Sequence, residues 1–236
     1  RRLLATGDID PVLLSGLAAR FADLADAIDA RASAFIAASV AVDGYAVAWL
    51  DSERFAEAPE EVRARVLVRL LIAVGGADYP PRTDRLTALQ SALLGTAGSG
   101  LKRTLAGTVI ERRGPRIAFY RESGRSDLPS VAVGPGYAGV WDGRFAVAVG
   151  EGAPSGLTLA ALGESGRREV GATSQKLQDM PAPAGALAAL PAIRHGSKIV
   201  AAPVFLDGGA SVPATFRSVL GERLRTPPLF PDFTGD

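Results

Sequence analysis

Between Asp10 and about Ala41, apolar residues fall at Leu13, Leu14, Leu17, Phe21, Leu24, Ile28, Phe35 and Ile36, while Arg20, Asp23, Asp26, Asp29 and Arg31 take other positions. Spacing of three and four over that length predicts a single long amphipathic helix. Asp10 is placed to cap it and Pro11 to occupy its first turn. Such a helix needs an apolar partner, and the next 85 residues offer several. Asp43-Gly44 reads as a turn before a short alternating strand at Tyr45, Val47 and Trp49. Pro59-Glu60-Glu61 opens a second helix with carboxylates where the dipole favours them, burying Val62, Val66, Leu67, Leu70 and Leu71 and ending at Gly75. Thr83 to Leu94 reads as a third helix.

The period then changes from helical to alternating. Thr104 to Arg112 and Arg116 to Arg121 are β-prone runs joined by Arg113-Gly114-Pro115, which predicts a hairpin. Glu122 to Gly136 collects Ser, Gly, Asp, Arg and Pro and reads as a linker. Beyond it lie a turn feeding a strand at Val140 to Val147, a strand at Leu157 to Leu159, an Ala-rich helix from about Ala184 to Leu190, a strand from Lys198 to Ala202, and a Pro-rich tail from Thr226 to Pro231. The expectation is an α+β chain in two domains. Residues 1–125 form a helix-rich domain closed by the hairpin, and residues 126–236 form a smaller mixed domain.

Composition removes several chemistries. With no Cys, disulfides, thiolate nucleophiles and zinc ribbons are excluded, and a cytoplasmic location fits. Charge interrupts every apolar run before roughly 18 residues, so no membrane helix is predicted. The start at Arg1-Arg2-Leu3-Leu4 carries no signal core and suggests a piece of a longer chain. Val74-Gly75-Gly76-Ala77-Asp78-Tyr79 invites comparison with a phosphate-cradling loop, but it follows a helix and lacks flanking hydroxyls, so a helix cap is the better reading. His195, the only histidine, lies in Arg194-His195-Gly196-Ser197 and reads as a surface turn residue. Glu60-Glu61, and Asp8 with Asp10, sit at helix starts, where capping explains them. No catalytic or metal-binding residue is assigned.

Charge is balanced overall, at 26 Lys plus Arg against 25 Asp plus Glu, but it is segregated. Residues 101–125 carry net +5, and residues 8–61 carry net −8. Lys102, Arg103, Arg112, Arg113, Arg116 and Arg121, with Arg125 beyond them, are therefore the candidate phosphate contacts. Alternation along a hairpin keeps them from all facing one way. The competing reading is an ion network between these cations and the acidic long helix. Trp141 and Tyr45 could stack on bases, though core packing is the commoner role.

Several stretches, in order, resemble the region after the catalytic domain in the bacterial tRNA(Ile)-lysidine synthetase family. They are the long Ala- and Asp-rich helix, Leu70 to Arg82, Arg103 to Arg113, and Trp141-Asp142-Gly143-Arg144-Phe145, with a weaker match at Ala188 to Ile193 and the strand ending at Ala202-Pro203. The resemblance implies an enzyme that adenylates the wobble cytidine of an isoleucine tRNA with a CAU anticodon, using ATP, and joins it to lysine. It further implies that ATP and Mg belong to an N-terminal pyrophosphatase domain, that this chain holds no cofactor and is inactive alone, and that it handles tRNA. A scaffold or homodimer built on the long helix is the alternative. A hydrolase working through His195 is a third reading.

Overall fold

The computed structural model describes residues 10–76, 79–95, 100–124, 128–173, 182–203 and 211–226. Helix α1 spans Pro11–Ser39, with Pro11 in its first turn and the Asp10 carboxylate accepting from the Val12 N–H at 2.9 Å. It stops short of Ala41 because Val40 is already extended and begins strand β1, Val40–Val42. The second half of α1 buries Ala32 and Ile36, whereas Val12, Leu13, Leu14, Leu17, Phe21 and Leu24 in the first half stay exposed.

Strand β2 is Ala48–Asp51, starting later than the alternation at Tyr45 suggests. Asp43 explains the delay. Its Oδ1 accepts from the N–H groups of Tyr45 and Val47, and its Oδ2 accepts from the Trp49 indole N–H, so residues 43–46 are tied into a turn. Asp51 then caps the short helix α2, Ser52–Glu57, accepting from Glu53 and Arg54 N–H. Helix α3, Glu60–Gly75, is the central one, and α1 packs along it. Its Glu60 and Glu61 lie in the first turn as expected, and Val66, Leu67, Leu70, Leu71 and Val74 are fully buried.

The cap of α3 falls one residue later than the sequence suggests. Gly76, at φ 72°, takes the left-handed position, while Gly75 is helical and buried. Gly75 serves close approach instead: a Cβ there would stand 1.9 Å from the Ala106 carbonyl oxygen. Helix α4 is Thr83–Leu94, as predicted, and Ala77 and Asp78 of the Gly-Gly segment lie outside the described residues.

The run from Thr104 to Arg112 is not one strand. Ala106 and Gly107 have φ of 49° and 70°, the left-handed pair of a tight hairpin turn, and they divide β3, Lys102–Leu105, from β4, Thr108–Arg113. Strand β5, Arg116–Arg121, follows through Gly114 and Pro115. The strands form one antiparallel sheet in the order β1-β2-β5-β4-β3. One face, with Leu50, Ile110, Ile117 and Phe119, joins the core with α3; the other carries Val47, Val109, Ala118 and Tyr120 against Ala186.

The segment expected to be a linker contains strand β6, Val131–Val133. It is followed by β7, Ala138–Trp141, β8, Phe145–Val149, and β9, Leu157–Ala161. Helix α5, Gly163–Thr173, was not legible as a helix, being rich in Gly and charge. Helix α6, Ala184–Ala188, strands β10, Pro191–His195, β11, Lys198–Ala201, and β12, Ala214–Ser218, and helix α7, Leu220–Arg225, complete the described elements. These strands make a four-stranded sheet, β11-β10-β9-β6, and a three-stranded one, β12-β8-β7. The α+β class expected from the sequence is what the chain adopts. Apolar packing is continuous across the linker, from Leu70 and Phe119 to Trp141, Leu187 and Leu224, and α7 lies against α3 and α1. The tail after Thr226 lies outside the described residues.

Candidate nucleic-acid interface

Register decides where the six predicted cations point, because residues directly opposite one another share a face. Lys102, Glu111, Ala118 and Trp49 make one row across the sheet, and Arg113, Arg116 and Asp51 make the next on the same face. Arg103 lies opposite Ile110 and Phe119, and Arg112 opposite Ile117 and Leu50, which puts both on the face that covers the helices. The six are therefore split between two surfaces.

Their electrostatic partners differ as well. Glu111 takes Arg113 on Oε1 at 2.8 Å, and its Oε2 faces Lys102 at 3.8 Å and accepts from the Tyr120 hydroxyl at 2.7 Å. Burial alone would raise the Glu111 carboxyl, but the bonds from Tyr120 and Arg113 and the charges of Arg113 and Lys102 outweigh it and hold it below the usual range. Arg112 donates to the Leu93 carbonyl at the end of α4. Arg103 is exposed, and the Arg116 guanidinium lies 5.5 Å from the centre of the Trp49 ring. Arg125 lies outside the described residues.

Arg121 is placed differently from the other five. It is buried, pairs with Asp142 at 3.2 Å and donates to the Gly107 carbonyl, so its guanidinium is engaged within the fold. The same Asp142 binds Arg144 at 2.6 Å, and Arg144 also donates to the Ala189 carbonyl. Asp142 sits at φ 48° beside Gly143 at φ 62°, so the Trp141-Asp142-Gly143-Arg144 stretch is a left-handed turn built around an ion cluster.

Among the described residues, the acidic long helix makes no ion pair with the hairpin cations. Asp29 of α1 pairs with Arg65 and Arg69 of α3, and the carboxylates bound to the basic strands are Glu111, from within the hairpin, and Asp142. Trp141 is buried and its indole N–H donates to the Pro129 carbonyl, and Tyr45 is half-buried against the core. Trp49 is the aromatic residue set beside exposed cations, a juxtaposition made by strand register and not by nearness in sequence. His195 is exposed at the end of β10. Among the described residues, no group of three or more His, Cys, Asp or Glu is placed to hold a metal, and no helix is long and apolar enough to cross a membrane.

These features define an α+β protein whose surface cations flank a β-hairpin. By sequence the chain is a relative of the tRNA(Ile)-lysidine synthases. It is 32% identical to the tRNA(Ile)-lysidine synthase of Ruegeria pomeroyi over 207 residues, 85% of this chain and 44% of that protein. It is 32% identical to that of Rhizobium meliloti over 121 residues, 51% of this chain and 26% of that one, and 36% identical to that of Caulobacter vibrioides over 107 residues, 44% and 25% respectively. The matched stretch spans less than half the length of each relative. No family model matches the chain.

Proposed function

We propose that this chain is the tRNA-handling portion of a tRNA(Ile)-lysidine synthase, an ATP-dependent ligase that joins lysine to the wobble cytidine of an isoleucine tRNA with a CAU anticodon. Residues 1–125 and 126–236 act as two tRNA-facing domains, and ATP with Mg belongs to the part of the relatives that this chain does not match. The observation that carries the reading is the similarity over 85% of the chain to a protein of that name. Lys102, Arg103, Arg112, Arg113 and Arg116 are the phosphate contacts on this reading, and Arg121 leaves the set because it is buried.

The test is the salt dependence of binding to a transcript of that tRNA. About five phosphate contacts give a log–log slope of roughly −3 to −4. Absence of binding at low salt overturns the proposal. The exposed apolar residues on the first half of α1, Phe21 at 68% and Leu24 at 57%, favour a second reading, a scaffold that pairs through that helix. A concentration-dependent sedimentation coefficient together with absent RNA binding supports it.

A further inference from the structure

Where α1 gives way to β1, the sequence runs Ala37-Ala38-Ser39-Val40-Ala41, and the lack of bulk there leaves room beside the sheet. A cavity of about 390 Å³ opens in that space, inside the range of small-ligand sites. Its facing wall is Trp49 of β2 with Arg116 of β5. The two are diagonal neighbours on one face, since Trp49 is opposite Ala118 and Arg116 is opposite Asp51. The Trp49 ring is held in place by its indole N–H bond to Asp43 at 2.9 Å. Arg54 lines one end, donating to the Ala38 carbonyl with one nitrogen and keeping its remaining donors. The Asp51 carboxylate, the acidic member of this wall, is engaged by the Glu53 and Arg54 N–H groups.

A second cavity of about 380 Å³ shares Ala38, Ser39 and Arg54 with the first and continues toward Phe35 and Arg31, with Glu57 beside it. Together they make one groove with arginines at 116, 54 and 31 and aromatic rings at 49 and 35. Cations that follow a backbone, alternating with rings on which bases stack, are the chemistry of single-strand recognition. A duplex keeps its bases stacked inside and offers no face to such rings.

We propose that this groove binds an unpaired stretch of RNA, with one base on Trp49, its phosphate between Arg54 and Arg116, and the next nucleotide toward Arg31. This rests on the reading of the chain as an RNA-binding one, and it names a site that the charge pattern of the hairpin does not.

The protein has two tryptophans, and Trp141 is buried out of a ligand's reach, so quenching on binding reports on Trp49. A single strand of about twelve residues in mixed, non-self-pairing sequence, the same strand annealed to its complement, and a tRNA(Ile) transcript are titrated in turn. The expected result is quenching by the single strand and the transcript, weaker by the duplex, and absent in Trp49→Ala. By anisotropy of an end-labelled strand, single-strand affinity falls roughly 5- to 100-fold in Trp49→Ala, and Arg54→Gln and Arg116→Gln each flatten the salt slope by about 1. Circular dichroism confirms that the variants fold, and the quenching of the unmodified chain does not depend on them. Transcript binding with no quenching, or with all three variants unchanged, overturns the groove while leaving the RNA reading intact. No binding of any RNA at low salt overturns both.

Discussion

The Arg121 guanidinium and the Asp142 carboxylate meet at 3.2 Å beneath the surface, joining the end of β5 to the β7–β8 turn. Asp142 also holds Arg144, so one carboxylate answers two cations, and all three side chains are almost wholly excluded from solvent. Burial pushes the Arg144 guanidinium down to about 10, opposed by the charge and hydrogen bond of Asp142, and it remains cationic at neutral pH. Asp142→Asn keeps a residue that tolerates positive φ and removes only the charge. Two buried cations then lack a counter-charge, and the expected loss is about 3–5 kcal/mol in the urea unfolding free energy. Arg103→Ala, at an exposed position, changes it by less than about 0.5 kcal/mol. Equal effects of the two substitutions would refute the cluster's role.

Helix propensity and packing give opposite signs at Gly75. On propensity alone Gly→Ala inside a helix stabilises by about 1 kcal/mol. Here the new methyl would collide with the Ala106 carbonyl at 1.9 Å, and backbone cannot yield as a flexible side chain can. Gly75→Ala is expected to lower the melting temperature, whereas Gly16→Ala, where no atom lies within 4 Å of the new Cβ, raises it. A rise in both would show that the contact between α3 and the β3–β4 turn is slack.

The Tyr120–Glu111 hydrogen bond makes stability pH-dependent at both ends. The Glu111 carboxyl is depressed when folded, so its contribution is present above its ordinary value of 4.5 and is lost as pH falls through the lower folded value. The Tyr120 hydroxyl is raised, by burial first and Glu111 second, so its contribution is present below its ordinary value of 10.0 and is lost as pH climbs above that. Tyr120→Phe is expected to flatten the alkaline limb of an unfolding-versus-pH curve, and Glu111→Gln the acid limb. Unchanged limbs would show that the pair is not coupled to folding.

Much of this could be read in advance. Asp10, Pro11 and the spacing of Leu13 to Ile36 located α1, and Thr83–Leu94 matched α4, because caps and periodicity are local signals. The role of Gly75 is not legible locally because a backbone approach from Ala106, thirty-one residues on, is not written in the neighbouring sequence. Helix α5 escaped because Gly163, Gly166 and Gly171 lower its propensity. At the candidate site the basic residues were visible as a count, but faces and partners were not. Arg121 and Arg116 are five residues apart in one strand, yet one is buried on Asp142 and the other lies over Trp49.

Asp29 and Arg69 supply a further check. Arg69 is buried in α3 and meets Asp29 of α1 at 2.8 Å, with its Nη1 on Ser33. Asp29→Ala strands that cation and is expected to cost about 3 kcal/mol, more than Arg69→Met, whose apolar chain fills similar space without an unpaired charge. Chemical denaturation of both variants decides it, and the reverse order would mean that the carboxylate is dispensable.

Strand β2 finds its inner neighbour only in β5, on the far side of α2, α3, α4 and two further strands. During synthesis the ribosome must therefore release the whole helical excursion before the sheet can close, and the apolar flank of α3 waits uncovered in the meantime. Pairing of such sequence-distant strands carries a loop-closure penalty that slows folding. A nascent chain halted after α4 holds four helices and one strand pair, with most of their floor still inside the ribosome.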